Sequence, residues 1–241
     1  MTTNGSGIWA VIPVKEIAEA KQRLSTGVPP HLRQELVLTM FEDVLTAVSR
    51  SRGLSGVAVV TVDAEATKLA QFHGARILTA DARGGHTAAV AAAARQLNAE
   101  GIGGMVQLPA DVPLATPEEI SFVLSMHRSA PSFTIVPSHD DFGSNAIVVS
   151  PPTAVPLAFG DDSFFPHLKT TRLCGIDPLI VRLPGIGRDI DIPEDLAVFA
   201  RSQSTTHTQA FLDRHGFPHW GRSTSADNQA KHTDNQARHT R

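Results

Sequence analysis

The chain has 241 residues, a formal net charge of −3 and a pI near 6.4. A weakly acidic chain without a basic block has no electrostatic footprint for nucleic acid or an anionic membrane surface, so small-molecule partners are expected. The length suits one α/β domain; a lone Cys174 excludes an internal disulfide, no signal-peptide pattern opens the chain, no apolar run reaches the ~18 residues of a spanning helix, and the expected location is the cytoplasm.

In chain order, "IWAVIPV" (8–14) predicts a first strand. "RQELVLTMFEDVLTAV" (33–48) predicts a helix, because Leu36, Met40, Val44 and Val48 recur at helical spacing. There follow a strand "VAVVTVD" (57–63), a helix through "AEATKLAQFHGA", a strand "RILTA" (76–80) and the Ala-rich helix "HTAAVAAAARQLNAE" (86–100). Gly74 and Gly101 read as helix stops. "GGMVQLPAD" adds a strand, and "TPEEISFVLSMH" a helix with Thr116 as N-cap, Pro117 at the first helical position and acids in the first turn. This βαβα rhythm implies a mostly parallel sheet covered on both faces. From residue 132, "FTIVPS" and "NAIVVSP" joined by "HDDFGS" read as two strands and a loop, so a mixed sheet is expected. Cys174, at a helix end, reads as a small buried residue rather than a nucleophile.

Residues 1–201 are expected to form the domain, and 202–241 a polar tail that is disordered in large part. Within that tail "DNQAKHT" is nearly repeated as "DNQARHT". Its five histidines, from His207 to His239, are scattered and without Cys, which argues against a metal tract. "FLDRHGFPHW" (211–220) is apolar enough to dock somewhere.

The chemistry gathers at strand ends. "MVQLPADVPLAT" ends an apolar strand on Asp111 between Pro109 and Pro113, and open α/β sheets bind ligands outside the carboxyl ends of their strands. In "GRDIDIPEDL" (187–196) Asp189 and Asp191 alternate around Ile190 and, if extended, face one side. Brought near Asp111 they would make an oxygen site for Mg²⁺. The competing readings are a plain turn at Asp111 and a helix cap at Asp191. After the first strand, "KEIAEAKQRLS" groups Lys15, Lys21 and Arg23, either as cations for a triphosphate or as a solvated basic face. Neither a P-loop nor a G-x-G-x-x-G follows that strand.

Together "VIPVKEIAEAKQRL", "LPADVPL", "GSNAIVVSPP", "FGDDSFFPHL" and "DIDIPEDL" resemble, in order over residues 8–200, the guanylyltransferases of coenzyme F420 biosynthesis, the CofC/FbiD family. The resemblance implies a Rossmann-like nucleotidyltransferase fold of the GT-A-like kind, a mostly parallel mixed sheet with helices on both faces. It also implies GTP and Mg²⁺ as requirements and a three-carbon phosphorylated acid as acceptor. Carried over, Asp111 and Asp189 would hold the metal, with Asp191 close by. Lys15 would act in catalysis as well as contacting the nucleotide phosphates with Arg23 and Lys21. Ser144, Gly160 and Ser163 match the positions for the phosphorylated acid; read without the family, Ser163 is a helix N-cap.

Two departures bear on the acceptor. Where the family has G-L-N, this chain reads "GGHTAAV", placing Gly85 and His86 near the base and acceptor pocket; and G-T-N becomes "GSN" with His139 shortly before it. A larger, more polar site favours 3-phospho-D-glycerate, with phosphoenolpyruvate or 2-phospho-L-lactate next. A glycosyltransferase or a copy that only binds nucleotide are the competing classes. The resemblance implies, as the family's partner, the enzyme that passes the activated acid to the deazaflavin precursor, and the residues themselves mark no contact with it; no repeat or alternation signals a dimer seam.

Overall fold

The computed structural model describes residues 7–202 and 204–217. Seven strands form one sheet: β1 (Ile8–Pro13), β2 (Leu54–Val60), β3 (Arg76–Leu78), β4 (Gly104–Gln107), β5 (Ser132–Pro137), β6 (Ser144–Ser150) and β7 (Leu179–Ile180). Their order is β3-β2-β1-β4-β6-β5-β7. Neighbours are parallel except that β6 runs antiparallel to both β4 and β5. The mixed sheet expected from the change of pattern after residue 132 is therefore present. β4, β5 and β6 are buried at every residue, which explains why their sequences run apolar without a clean polar alternation.

The helices are α1 (Pro30–Arg50), α2 (Ala64–Phe72), α3 (Gly85–Ala99), α4 (Pro117–Met126), α5 (Phe164–Leu173), α6 (Pro193–Ala200) and α7 (His207–Arg214). Side chains of α1, α2, α4, α6 and α7 share one buried cluster with Ala10, Ile12, Val59 and Val106 of the strands. Those of α3 and α5 share the other with Val11, Ala58, Val60, Met105 and Val149. Alternate residues of each strand thus feed opposite layers, as a period of two requires. The local signals act where expected. Thr116 Oγ1 accepts from Glu119 N at 3.1 Å, Pro117 opens α4, and Gly74 and Gly101 take left-handed φ of 75° and 77°.

Two expectations change. Cys174 is exposed, not buried: it caps α5 beside Leu173, itself 79% exposed, and Gly175 at φ 74° then turns the chain away. The packed body also continues past residue 201. In α7, Phe211 and Leu212 are buried in the α1-side cluster, so the described part of the apolar segment 211–220, residues 211–217, does dock. Its anchor is Asp43 of α1, whose carboxylate accepts from His207 N (2.8 Å), Thr208 N (2.9 Å) and Thr208 Oγ1 (2.6 Å). Asp43 thereby satisfies amides that open α7. Asp43→Ala is expected to lower stability by about 1–2 kcal/mol, the scale of a lost helix cap. Urea unfolding measures it, and an unchanged midpoint would contradict the anchoring role. The near-repeat at 227–240 and most of the expected disordered tail lie outside the described residues.

Candidate active site

The chain lays β1, β2 and β3 outward in one direction and then starts again on the other side of β1 with β4. This reversal is the switch point where open α/β sheets place ligands. The antiparallel register brings the start of β6 to the same edge, since Gln107 pairs with Ile147 and Pro137 with Ser144. A cleft of about 1060 Å³ opens there, large enough for two substrates. Its lining includes Lys15, Lys21, Arg23, Asp111, Asp189 and Asp191 together with Gly85, His86, His139, Ser144, Gly160 and Ser163. All the residues singled out in the sequence thus meet in one place.

The acidic side is built by the loop after β4 and the segment before α6. Ile190 N donates to the Asp111 carbonyl at 3.1 Å, which docks the Asp189–Asp191 piece beside Asp111. Lys21 Nζ pairs with Asp111 Oδ2 and Asp191 Oδ1. To reach them Lys21 takes φ 52° and ψ 41°, a left-handed conformation that costs a non-glycine residue about 1–2 kcal/mol. Burial opposes the ammonium charge, but the two carboxylates outweigh it and raise the pKa of Lys21. Burial likewise opposes the Asp191 charge, and Lys21 overcomes it to hold that carboxyl low.

Asp189 has no such partner. Burial, and then the charge of Asp111, push it up to about 6, against a hydrogen bond from Asn145 Nδ2 at 3.1 Å. Asp111 Oδ1 is buried without a hydrogen-bond partner. Lys21 thus neutralises the Asp111 Oδ2 and Asp191 part of the group, and Asp189 with Asp111 Oδ1 is left without a cation. Asp191 does not cap α6. Ile192 holds the N-cap position, and Asp195 Oδ2 accepts from Asp191 N and Ile192 N, both at 3.0 Å. Lys15 is exposed at the end of β1, and Arg23 Nη2 crosses to Asp161 at 2.9 Å.

The serine and histidine part of the lining is held by buried polar contacts. Ser163 stands at the N-cap of α5, yet its hydroxyl caps nothing; it donates to Ser144 Oγ at 3.0 Å. Gly160 has open space around it. An added Cβ would meet nothing within 4 Å and φ lies outside the left-handed region, so neither packing nor backbone conformation calls for glycine there. Gly85, by contrast, needs its φ of 84° to enter α3. No side chain caps that helix, whose bare N-terminus at the cleft favours anionic groups. His86 packs against Phe159 with the rings tilted by 46° and centroids 4.4 Å apart, and its Nε2 lies 3.1 Å from Gln107 Nε2. Burial lowers its pKa to about 4, so the ring is neutral at pH 7. His139 is exposed at the cleft, its backbone N–H fixed to the Gly187 carbonyl at 2.8 Å.

Asn145 escaped the sequence reading although "GSN" was in view: its amide also donates to the Ile186 carbonyl at 3.0 Å, so it positions Asp189. Glu119 escaped too. It accepts from Gly185 N and Ile186 N, both at 2.8 Å, and holds the loop that carries Asp189. Only its place in "TPEEI" hinted at more than a helix-start charge.

The seven-stranded mixed sheet, with a cleft lined by carboxylates and hydroxyls at its switch point, has the Rossmann-like fold of nucleotidyltransferases. Solved structures share it: 4-diphosphocytidyl-2C-methyl-D-erythritol synthase (TM-score 0.58, 16% identity, 82% of this chain and 99% of that one) and a candidate nucleotide-diphospho-sugar transferase from Desulfovibrio desulfuricans G20 (TM-score 0.68, 18% identity, 86% and 94%). Within that class the chain belongs to the guanylyl transferase CofC like family, matched over residues 8–231. It is 36% identical over 190 residues to a phosphoenolpyruvate guanylyltransferase of Rubrobacter xylanophilus, covering 79% of this chain and 92% of the relative. It is 30% identical over 190 residues to a 3-phospho-D-glycerate guanylyltransferase of Colwellia psychrerythraea, covering 79% and 90%. The chain is thus an enzyme of the guanylyltransferase type, which sets the glycosyltransferase reading aside.

Proposed function

We propose that the protein condenses GTP with a three-carbon phosphorylated acid, with 3-phospho-D-glycerate as the leading acceptor, releasing pyrophosphate. The observation that carries the reading is that Asp111, Asp189 and Asp191 line one cleft together with Ser144, Ser163 and Gly160. The acceptor's phosphate oxygen attacks the α-phosphorus of GTP, the bond to the bridging oxygen breaks, and pyrophosphate leaves with its electron pair. The attacking group is already anionic, so no protein nucleophile or base is required, and positioning with charge neutralisation carries the rate.

Asp111 and Asp189, with Asp191 beside them, are the residues that would hold Mg²⁺: that ion takes one or two carboxylates plus substrate phosphates, and Asp111 Oδ1 is unsatisfied. Lys21 nonetheless pairs with Asp111 and Asp191, and the described residues include no ready group of three or more metal-holding side chains. Bound there, Mg²⁺ would neutralise phosphate charge at the reacting centre. Lys15, Lys21 and Arg23 approach the departing pyrophosphate from the β1 side. Ser144, Ser163 and the backbone at Gly160 hold the acceptor. His139 and the neutral His86 supply polar groups that suit the hydroxyl of a glycerate better than an enol ester. The relative named for phosphoenolpyruvate supports that acid as the second reading. The product would be the activated acid of coenzyme F420 biosynthesis, consumed by a downstream transferase.

The test is pyrophosphate release from GTP and Mg²⁺ with 3-phosphoglycerate, phosphoenolpyruvate and 2-phospho-L-lactate offered separately. The highest kcat/KM is expected with 3-phosphoglycerate. Faster turnover with phosphoenolpyruvate would replace the acceptor, and no turnover with any would leave a nucleotide-binding copy.

A further inference from the structure

His167, in α5, is not among the residues that line the cleft. It is 1% exposed, and Ser144 and Ser163 beside it are 9% and 4% exposed. Its Nε2 lies 3.0 Å from the backbone N–H of Ala158, and its Nδ1 lies 2.9 Å from Ser144 Oγ. A backbone N–H can only donate, so Nε2 must present its lone pair, and the neutral ring carries its proton on Nδ1. That proton is donated to Ser144. Burial lowers the His167 pKa to about 4, which keeps the ring neutral at working pH.

Ser144 Oγ therefore accepts twice, from His167 Nδ1–H and from Ser163 Oγ–H. A serine hydroxyl has two acceptor sites and one donor. With both acceptor sites filled, its own O–H is left to point into the cleft that Ser144 lines, polarised by the two bonds it receives. The ring's other nitrogen tethers Ala158. Phe159 next to it is pinned by Thr87 Oγ1, which accepts from Phe159 N at 2.9 Å, and Gly160 follows directly. Phe159 also packs edge-on against the His167 ring, with centroids 5.1 Å apart.

We infer that His167 is a positioning residue for the acceptor: through Ser144 it aims one O–H donor at an anionic oxygen of the bound acid, and through Ala158 it sets the Gly160 loop. The inference rests on the reading of Ser144, Gly160 and Ser163 as the acceptor side of the proposed guanylyltransferase.

The experiment compares wild type, His167→Phe, His167→Asn, Ser144→Ala and the double variant Ser144→Ala/His167→Phe in pyrophosphate release, varying acceptor and GTP independently. His167→Phe should raise the acceptor KM on the order of tenfold, the scale of one lost polar contact, while the GTP KM stays within about twofold. His167→Asn, whose amide N–H can replace the Nδ1–H donor, should recover most of that loss. The double variant should be little worse than Ser144→Ala, because much of the effect passes through that hydroxyl. Equal increases for both substrates, no rescue by Asn, or full additivity would overturn the role.

Should His167→Phe fail to fold, long-range ¹⁵N–¹H spectra of the wild-type protein read the tautomer directly. A proton on Nδ1 is expected, and one on Nε2 would overturn the relay. A wild type inert with all three acids would overturn the functional reading and this role with it. An active wild type with the wrong tautomer would overturn the role alone.

Discussion

Asp111→Asn should fold as the wild type does and lose about 10³-fold or more in kcat/KM, the scale seen when charge stabilisation at a reacting centre is removed. The loop around Asp111 does not depend on its charge. Pro109 and Pro113 stiffen it, and the Asp111 backbone carbonyl, which asparagine retains, takes the hydrogen bond from Ile190 N. What disappears is the negative charge, and with it half of the carboxylate pair around Lys21. Thermal midpoint and steady-state kinetics on the same preparation separate the two effects. Activity within about tenfold of wild type would remove Asp111 from the reacting centre.

Asp189→Asn is expected to abolish turnover and yet stabilise the metal-free protein at pH 7. In the folded state burial and the charge of Asp111 push Asp189 from 3.8 up to about 6. Between those values the native state binds more protons than the unfolded one, so the contribution of Asp189 to stability is full below pH 3.8. It falls as pH rises towards 6, and the deficit persists above. Asparagine removes the buried charge and keeps an oxygen for Asn145 Nδ2. Urea unfolding of both proteins in EDTA from pH 4 to 7.5 should therefore give curves that separate with rising pH, the variant above. Comparing the two cancels titrating groups that do not interact with Asp189, Asp43 included. A variant less stable than wild type at pH 7 would show that Asp189 is structural. A site that destabilises its own fold is what a functional constraint produces.

The parts of the fold readable in the sequence rest on local physics. Thr116 and Pro117 start α4, Gly74 and Gly101 stop helices, and Leu36, Met40, Val44 and Val48 mark a buried face, each within a few residues. What escaped depends on distant partners. α7 lies in a polar stretch because the carboxylate that anchors it, Asp43, sits 164 residues earlier. Lys21 and Arg23 read as one basic group, but the fold sends Lys21 to Asp111 and Asp191 and Arg23 to Asp161. The motif "FFPHL" was visible, but nothing in it announces that His167 bonds Ser144 and Ala158, since both partners lie in other segments. Cys174 was misplaced because helix phase alone does not tell on which side of a terminal turn the chain departs.

The sheet ends in short margins: β3 has three residues and β7 two, and beside β3 Arg76 clasps Glu100 through two hydrogen bonds of 2.6 and 2.7 Å. A foreign strand laid along either margin finds only a brief ladder of free amides and carbonyls to copy. Growth of the sheet from one molecule into the next is disfavoured, so self-recognition, where it occurs, falls to helical faces. The same brevity guards against fibrous aggregation while leaving the long central strands free to be apolar.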